Sequence, residues 1–317
     1  MLLFCAKLPA GENFIKILPQ FLITIILGFY VCCPTHVHSG SEQDRLRVIV
    51  TIPPLGEFTK RVGGNKVDVT ALIPQGANPH TYEPKPSLLK ALSSAQLMVK
   101  VGTNIEFERT LTAKLAQLNK EMRVVNSSEG VPLLYSSGAT VSEGDSSRTE
   151  HARHGYDPHI WLSPLNAMLM VENICRVLIS VDNMNKGYYE RNRDRYLREL
   201  EKLNMYIQKT VKSRNITKFM VYHPSWGYFA NEYGMEQISI EKHGKGLSVR
   251  TIAKAIEKAR KYNITLIIAS PEFSTTGPEL IAKEINGSVA LISPLARDYV
   301  NNVYKLVEHL STNSRGH

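Results

Sequence analysis

KGYYERNRDRYLRELEKLNMYIQKTVK, Lys186 to Lys212, is the stretch on which the fold turns. Leu197, Leu200, Leu203, Ile207 and Val211 recur at steps of three and four, with charges between them. That is the period of an amphipathic helix. No Gly or Pro interrupts it after Gly187. About 25 residues at 1.5 Å each make a rod roughly 37 Å long, the width of a small domain. Such a rod predicts a strut between two lobes.

Working outward, the same alternation lies on both sides of the rod. Before it come the β-rich runs LRVIVTI (Leu46 to Ile52), VDVTALI (Val67 to Ile73), LMVKV (Leu97 to Val101) and MRVVN (Met122 to Asn126). Helical stretches separate them: one after Pro53-Pro54 that stops at Gly63-Gly64, one around Leu88 to Leu92, and one from Phe107 to Leu118. Ser163 followed by Pro164 starts another helix, running to about Ile179. After the rod come KFMVYH (Lys218 to His223), EQISI (Glu236 to Ile240), TLIIAS (Thr265 to Ser270) and SVALIS (Ser288 to Ser293). Helices are expected at Val249 to Tyr262, Glu279 to Ile285 and Tyr299 to Leu310. Strands alternating with helices predict an α/β fold in which each lobe is a parallel sheet flanked by helices. The expected divisions are a leader and tether at 1–44, an N-terminal lobe at 45–185, the linking helix at 186–213 and a C-terminal lobe at 214–317. Residues 136–156, rich in Gly, Ser and acids, cannot bury a core and are expected to form a mobile loop.

Composition narrows the class. With 43% hydrophobic and 21% charged residues among 317, the chain is globular. A net charge of +9 invites a nucleic-acid reading. Its basic residues, however, interleave with acids along amphipathic helices, and no aromatic-basic recognition cassette is present, so a solvated surface and no nucleic acid are expected. Lys7 and Lys16 precede the apolar run FLITIILGFYVCC, Phe21 to Cys33, which reads as an export signal or a retained N-terminal anchor. Cys5, Cys32 and Cys33 fall in this leader, leaving Cys175 alone in the body as a buried, inert thiol. Sequons stand at Asn126, Asn215, Asn263 and Asn286.

Three histidines sit in stiff settings at element ends: His80 in GANPHTYEP, His159 in YDPHIWLSP and His223 in FMVYHPSWGYF. Loops at strand ends are where α/β proteins place binding groups. Three neutral imidazoles brought together suit a transition metal, zinc above all. The plain alternatives are a turn histidine bonded to backbone for His80 and a ring packed on Trp161 for His159. His151 and His154 lie in the loop and read as surface residues or a weak auxiliary site, while His36, His38, His243 and His309 have no supporting context.

GANPHTYEPKPS, YDPHIWLSP, the long middle helix and a closing LISPLARDY, taken in order from Arg45 to Leu310, resemble the substrate-binding proteins of zinc and manganese ABC transporters (the A-I cluster, or cluster 9). The resemblance implies an ion held in the cleft between two lobes, with His80 and His159 supplied by the first and His223 by the second. It implies an extracytoplasmic monomer, soluble or tethered to the membrane, that hands its ion to a permease. Family members carry an aspartate where this chain has Ser293, which leaves the fourth ligand among Glu272, Ser293, Asp298 and water. Histidine at position 223 resembles the zinc-type members, with Mn2+ or Fe2+ as alternatives. A zinc hydrolase and an adhesin on the same scaffold are the competing classes. HExxH, the commonest hydrolytic zinc signature, is missing.

Overall fold

Proline decides where the first strand stops. The computed structural model describes residues 45–78, 82, 85–103, 105, 107–109, 117–135, 155–241 and 248–313. Strand β1 (Leu46–Val50) ends two residues before Pro53, which has no N–H to pair and instead begins helix α1 (Pro53–Gly63). Gly64 ends α1 at φ 55°, where a Cβ would lie within 3 Å of the Tyr188 hydroxyl and ring, so only glycine fits there.

The first sheet adds β2 (Val67–Ala71), β3 (Leu97–Lys100) and β4 (Arg123–Asn126), with helix α2 (Pro86–Ser93) between β2 and β3. Its order is β2-β1-β3-β4 and every pair is parallel. The second sheet is built from β5 (Lys218–Val221), β6 (Glu236–Ser239), β7 (Leu266–Ala269) and β8 (Ser288–Leu291). It repeats the arrangement as β6-β5-β7-β8, again all parallel. In each sheet the chain leaves a central strand to one side and returns on the other, and that reversal opens a crevice at the carboxyl ends of the strands.

Helix α3 (Pro164–Val181) starts as predicted: the Ser163 hydroxyl accepts the Asn166 N–H at 3.1 Å. Helix α4 (Lys186–Ser213) has 28 residues, about 42 Å at the standard rise. Its buried stripe runs Tyr189, Tyr196, Leu200, Leu203, Ile207 and Val211. Leu197 lies at the edge of that stripe, partly buried against the same core, and Tyr189 and Tyr196 extend the stripe towards the N-terminus. The first half of α4 is stitched to the N-terminal lobe, with Asn192 donating to the Val62 carbonyl at 3.0 Å and Tyr196 donating to Glu57 at 3.2 Å. The second half meets the other lobe, where Tyr233 donates to Asn204 at 3.0 Å and Tyr206 packs on Tyr304 at 5.0 Å. One hydrophobic core therefore runs through both lobes, from Val48 and Phe58 through Tyr196 and Leu203 to Phe229 and Val307.

The second lobe is completed by α5 (Gly227–Glu232), α6 (Val249–Lys261), α7 (Thr276–Glu284) and α8 (Tyr299–Asn313). The sequon asparagines acquire a structural role here. Asn215, Asn263 and Asn286 have φ of 50°, 52° and 52°, the left-handed turn that ends a helix. Each is followed by the closing bond of that motif: Ile216 N–H to Val211, Ile264 N–H to Ala259 and Gly287 N–H to Ala282, at 2.8–3.0 Å. Cys175 is fully buried, and burial pushes its thiol up to about 11, which keeps it protonated and unreactive.

Candidate metal centre

His223 is delivered by sheet geometry. Val221 pairs with Ser239 in the β5–β6 ladder, and two further bonds carry the alignment past the strand ends: Ile240 N–H to Val221 at 3.0 Å and Glu241 N–H to Tyr222 at 2.9 Å. His223 and Glu241 therefore emerge side by side, and the imidazole Nδ1 meets Glu241 Oε2 at 3.1 Å. Phe273 stacks on the ring, 5.2 Å between centroids and 28° between planes.

His159 is delivered by a turn. The Asp157 carboxylate accepts the His159 backbone N–H at 2.9 Å, an Asx-turn closed over Pro158. The same Oδ1 lies 2.7 Å from His159 Nδ1. Trp161 crosses to the other lobe, its indole N–H donating to the Pro294 carbonyl at 2.8 Å.

An ionised carboxylate can only accept, so each imidazole donates from Nδ1, and its neutral form then carries the lone pair on Nε2. In carboxylate–histidine–metal sites the outer acid fixes tautomer and ring orientation in this way. The two rings lie 5.5 Å apart at 81°. Two imidazoles bound tetrahedrally at zinc distances would have centres roughly 5 Å apart, so the pair is already at ligating separation. His80 lies outside the described residues. The chain leading to it leaves β2 through a turn at Pro74–Ala77, with Gly76 at φ 82°.

The acids considered for a fourth position are otherwise engaged. Buried Glu272 accepts hydroxyl bonds from Ser270 and from Ser293, and Ser293 in turn accepts the Leu295 N–H at 3.0 Å. Asp298 accepts from the Asn301 side chain at 2.7 Å at the start of α8. Among the described residues, no three His, Cys, Asp or Glu side chains form a ready metal sphere. Sequence reading singled out His159 and His223 but gave Glu241 no role. The register of parallel strands was the signal for Glu241, since counting two residues past the Val221–Ser239 pair reaches it. A separate cavity of about 370 Å3 lies beside Lys60, Arg61 and Arg297 and is lined by neither histidine.

Two parallel sheets and a bridging rod define a two-lobed α/β protein, and two acid-backed imidazoles, one from each lobe, meet at a candidate metal site. Comparison with known proteins agrees. The chain belongs to the family described as zinc-uptake complex component A, periplasmic, whose model matches residues 48–313. It is 32% identical over 261 residues to the high-affinity zinc uptake system protein ZnuA of Bacillus subtilis (strain 168), covering 81% of each chain. Among solved structures, a crystal structure of ZnuA superposes with a TM-score of 0.76 at 34% identity, covering 85% of this chain and 99% of that one. A ZnuA deletion mutant with zinc bound superposes with a TM-score of 0.77 at 34% identity, covering 86% and 100%.

Proposed function

We propose that this chain captures a zinc ion outside the cytoplasm and delivers it to the membrane permease of an ABC transporter. One observation carries the reading: the His159 and His223 rings meet edge-on with centres 5.5 Å apart, each with its Nδ1 held by a carboxylate. His80 is the third ligand in this reading, and water or Glu272 completes the shell. For Glu272 to enter, it must exchange a serine hydroxyl for the cation. The names of the relatives support zinc as the ion. Imidazole nitrogens favour zinc over Mn2+, a harder ion that prefers oxygen. Asp157 and Glu241 are committed to orienting the rings, a task of holding rather than of general-base catalysis. The leader, residues 1–44, serves in this proposal for export or as a membrane tether, and the working form is a monomer.

A nanomolar site corresponds to about 12 kcal/mol, so release requires the permease to disturb the ligand set. Native mass spectrometry of the full chain, purified without added metal and then titrated with Zn2+ and Mn2+, tests the proposal. One zinc per chain, lost in His80→Ala and His159→Ala, is expected. Stoichiometric manganese in preference to zinc, or undiminished zinc in both variants, would refute it.

A further inference from the structure

The loop that carries His159 is fastened from the opposite lobe. Leu134 and Asp157 lie opposite each other beside the antiparallel bridge Tyr135–Tyr156. Asp157 N–H reaches the Leu134 carbonyl at 2.8 Å. The return bond between these backbones is replaced by a side chain. The Tyr228 hydroxyl, from α5 of the C-terminal lobe, accepts the Leu134 N–H at 2.9 Å and donates to the Asp157 carbonyl at 3.0 Å. A phenol wedged into a two-strand ladder satisfies both backbone groups and fixes their separation. Tyr228 is 3% exposed, and burial pushes its phenol up to about 12, so the hydroxyl keeps its proton and donates across the working range of pH.

The neighbouring residue adds a second restraint. A Cβ on Gly227 would stand 2.5 Å from Asp157 Oδ2, closer than any real contact. The absence of a side chain at 227 is therefore what lets the Asp157 carboxylate sit where its other oxygen can meet His159 Nδ1. Trp161, two residues beyond His159, is tied to the same lobe through Pro294.

We infer that Tyr228 and Gly227 are positioning residues for the metal site: from the C-terminal lobe they set the place of Asp157, and through it the imidazole of His159. The inference rests on the zinc-binding reading above. Its consequence is that His159 and His223, although drawn from different lobes, are held as one preformed pair.

The test is Zn2+ affinity of the full chain, by competition with a chromophoric chelator, for wild type, Tyr228→Phe, Gly227→Ala, His159→Ala and Tyr196→Phe. Thermal unfolding of each metal-free protein checks folding, and Co2+ absorption reports the ligand geometry. Tyr228→Phe and Gly227→Ala are each expected to weaken Zn2+ binding by roughly 10- to 100-fold, as for other outer-shell changes, and to alter the Co2+ bands. Tyr196→Phe, which removes a buried hydroxyl bonded to Glu57 far along the chain from either histidine, is expected to keep wild-type affinity and the wild-type Co2+ spectrum. Wild-type affinity and spectrum in a folded Tyr228→Phe protein overturns the inference, as does an equal loss in Tyr196→Phe. Should Gly227→Ala fail to fold, Tyr228→Phe decides alone. Wild-type protein that takes up no zinc, or His159→Ala that binds like wild type, sinks the metal reading itself and the inference with it.

Discussion

The ends of the two central strands are built alike and used differently. In the N-terminal lobe, β1 ends at Val50 and the chain continues Thr51-Ile52-Pro53; in the C-terminal lobe, β5 ends at Val221 and the chain continues Tyr222-His223-Pro224. The neighbouring strand binds both in the same way. Leu72 and Ile73 donate to Val50 and Thr51 at 2.7 and 3.2 Å, and Ile240 and Glu241 donate to Val221 and Tyr222 at 3.0 and 2.9 Å. Ile52 and Ile73 therefore occupy in one lobe the places that His223 and Glu241 occupy in the other. The isoleucines are 1% and 2% exposed and belong to the core. The histidine and glutamate instead form a partly buried hydrogen-bonded pair beyond the strand ends. One backbone frame thus carries an apolar pair in one lobe and a polar pair in the other, which is how a fold separates from the function placed on it.

The largest effect tests this equivalence directly. His223→Ile gives the C-terminal lobe the residue of its counterpart, and stoichiometric zinc binding should be lost in a calorimetric titration. Retention of tight binding would break the comparison at once. Next, Glu241→Gln keeps the shape but withdraws the charge behind the ring, and Zn2+ affinity by chelator competition should fall roughly 10- to 100-fold. An unchanged affinity would mean that the charge of Glu241 does not strengthen the imidazole as a ligand.

The isoleucine side gives a smaller response of another kind. Ile52→Val removes one buried methylene, so urea unfolding of the metal-free protein should show a loss of about 0.5–1.5 kcal/mol with zinc affinity untouched. A shift in affinity would show that the packing frame also tunes the site. The smallest expected effect concerns Glu57, whose carboxylate accepts the Tyr299 N–H at 2.6 Å where α8 begins. Burial raises its pKa above the ordinary value, with the Tyr299 and Tyr196 bonds opposing. The folded chain then holds this proton where the unfolded chain has released it. The stability so gained is present below the unfolded pKa and is lost as pH rises through the folded one. Between pH 5 and 7, metal-free wild type should therefore lose more stability than Glu57→Gln in urea titrations. Parallel pH profiles would show that the buried acid contributes no such linkage.

Much of this was written plainly in the chain. The period of α4 and the apolar runs of all eight strands announced the elements, because helices and buried strands have different spacings that a single sequence displays. Pro53 and Pro164 marked helix starts within a residue. His159 and His223 stood out through their turn-forming neighbours. What stayed hidden depends on contacts between distant segments. Glu241 matters only through the β5–β6 register, Tyr228 only because α5 reaches into a ladder of the other lobe, and Glu272 is engaged by hydroxyls from Ser270 and from Ser293, 21 residues on. Leu197 flanks the seam, partly buried against the same core, while Tyr189 and Tyr196 extend the seam towards the start of the helix.

The apolar interior that threads α4 from Phe58 to Val307 carries a consequence for how the molecule comes apart. Part of that shared interior would be laid bare if either lobe melted alone, so each lobe walls off apolar surface of the other. Heat should consequently take the two lobes down together, and a severed half would expose that surface to water.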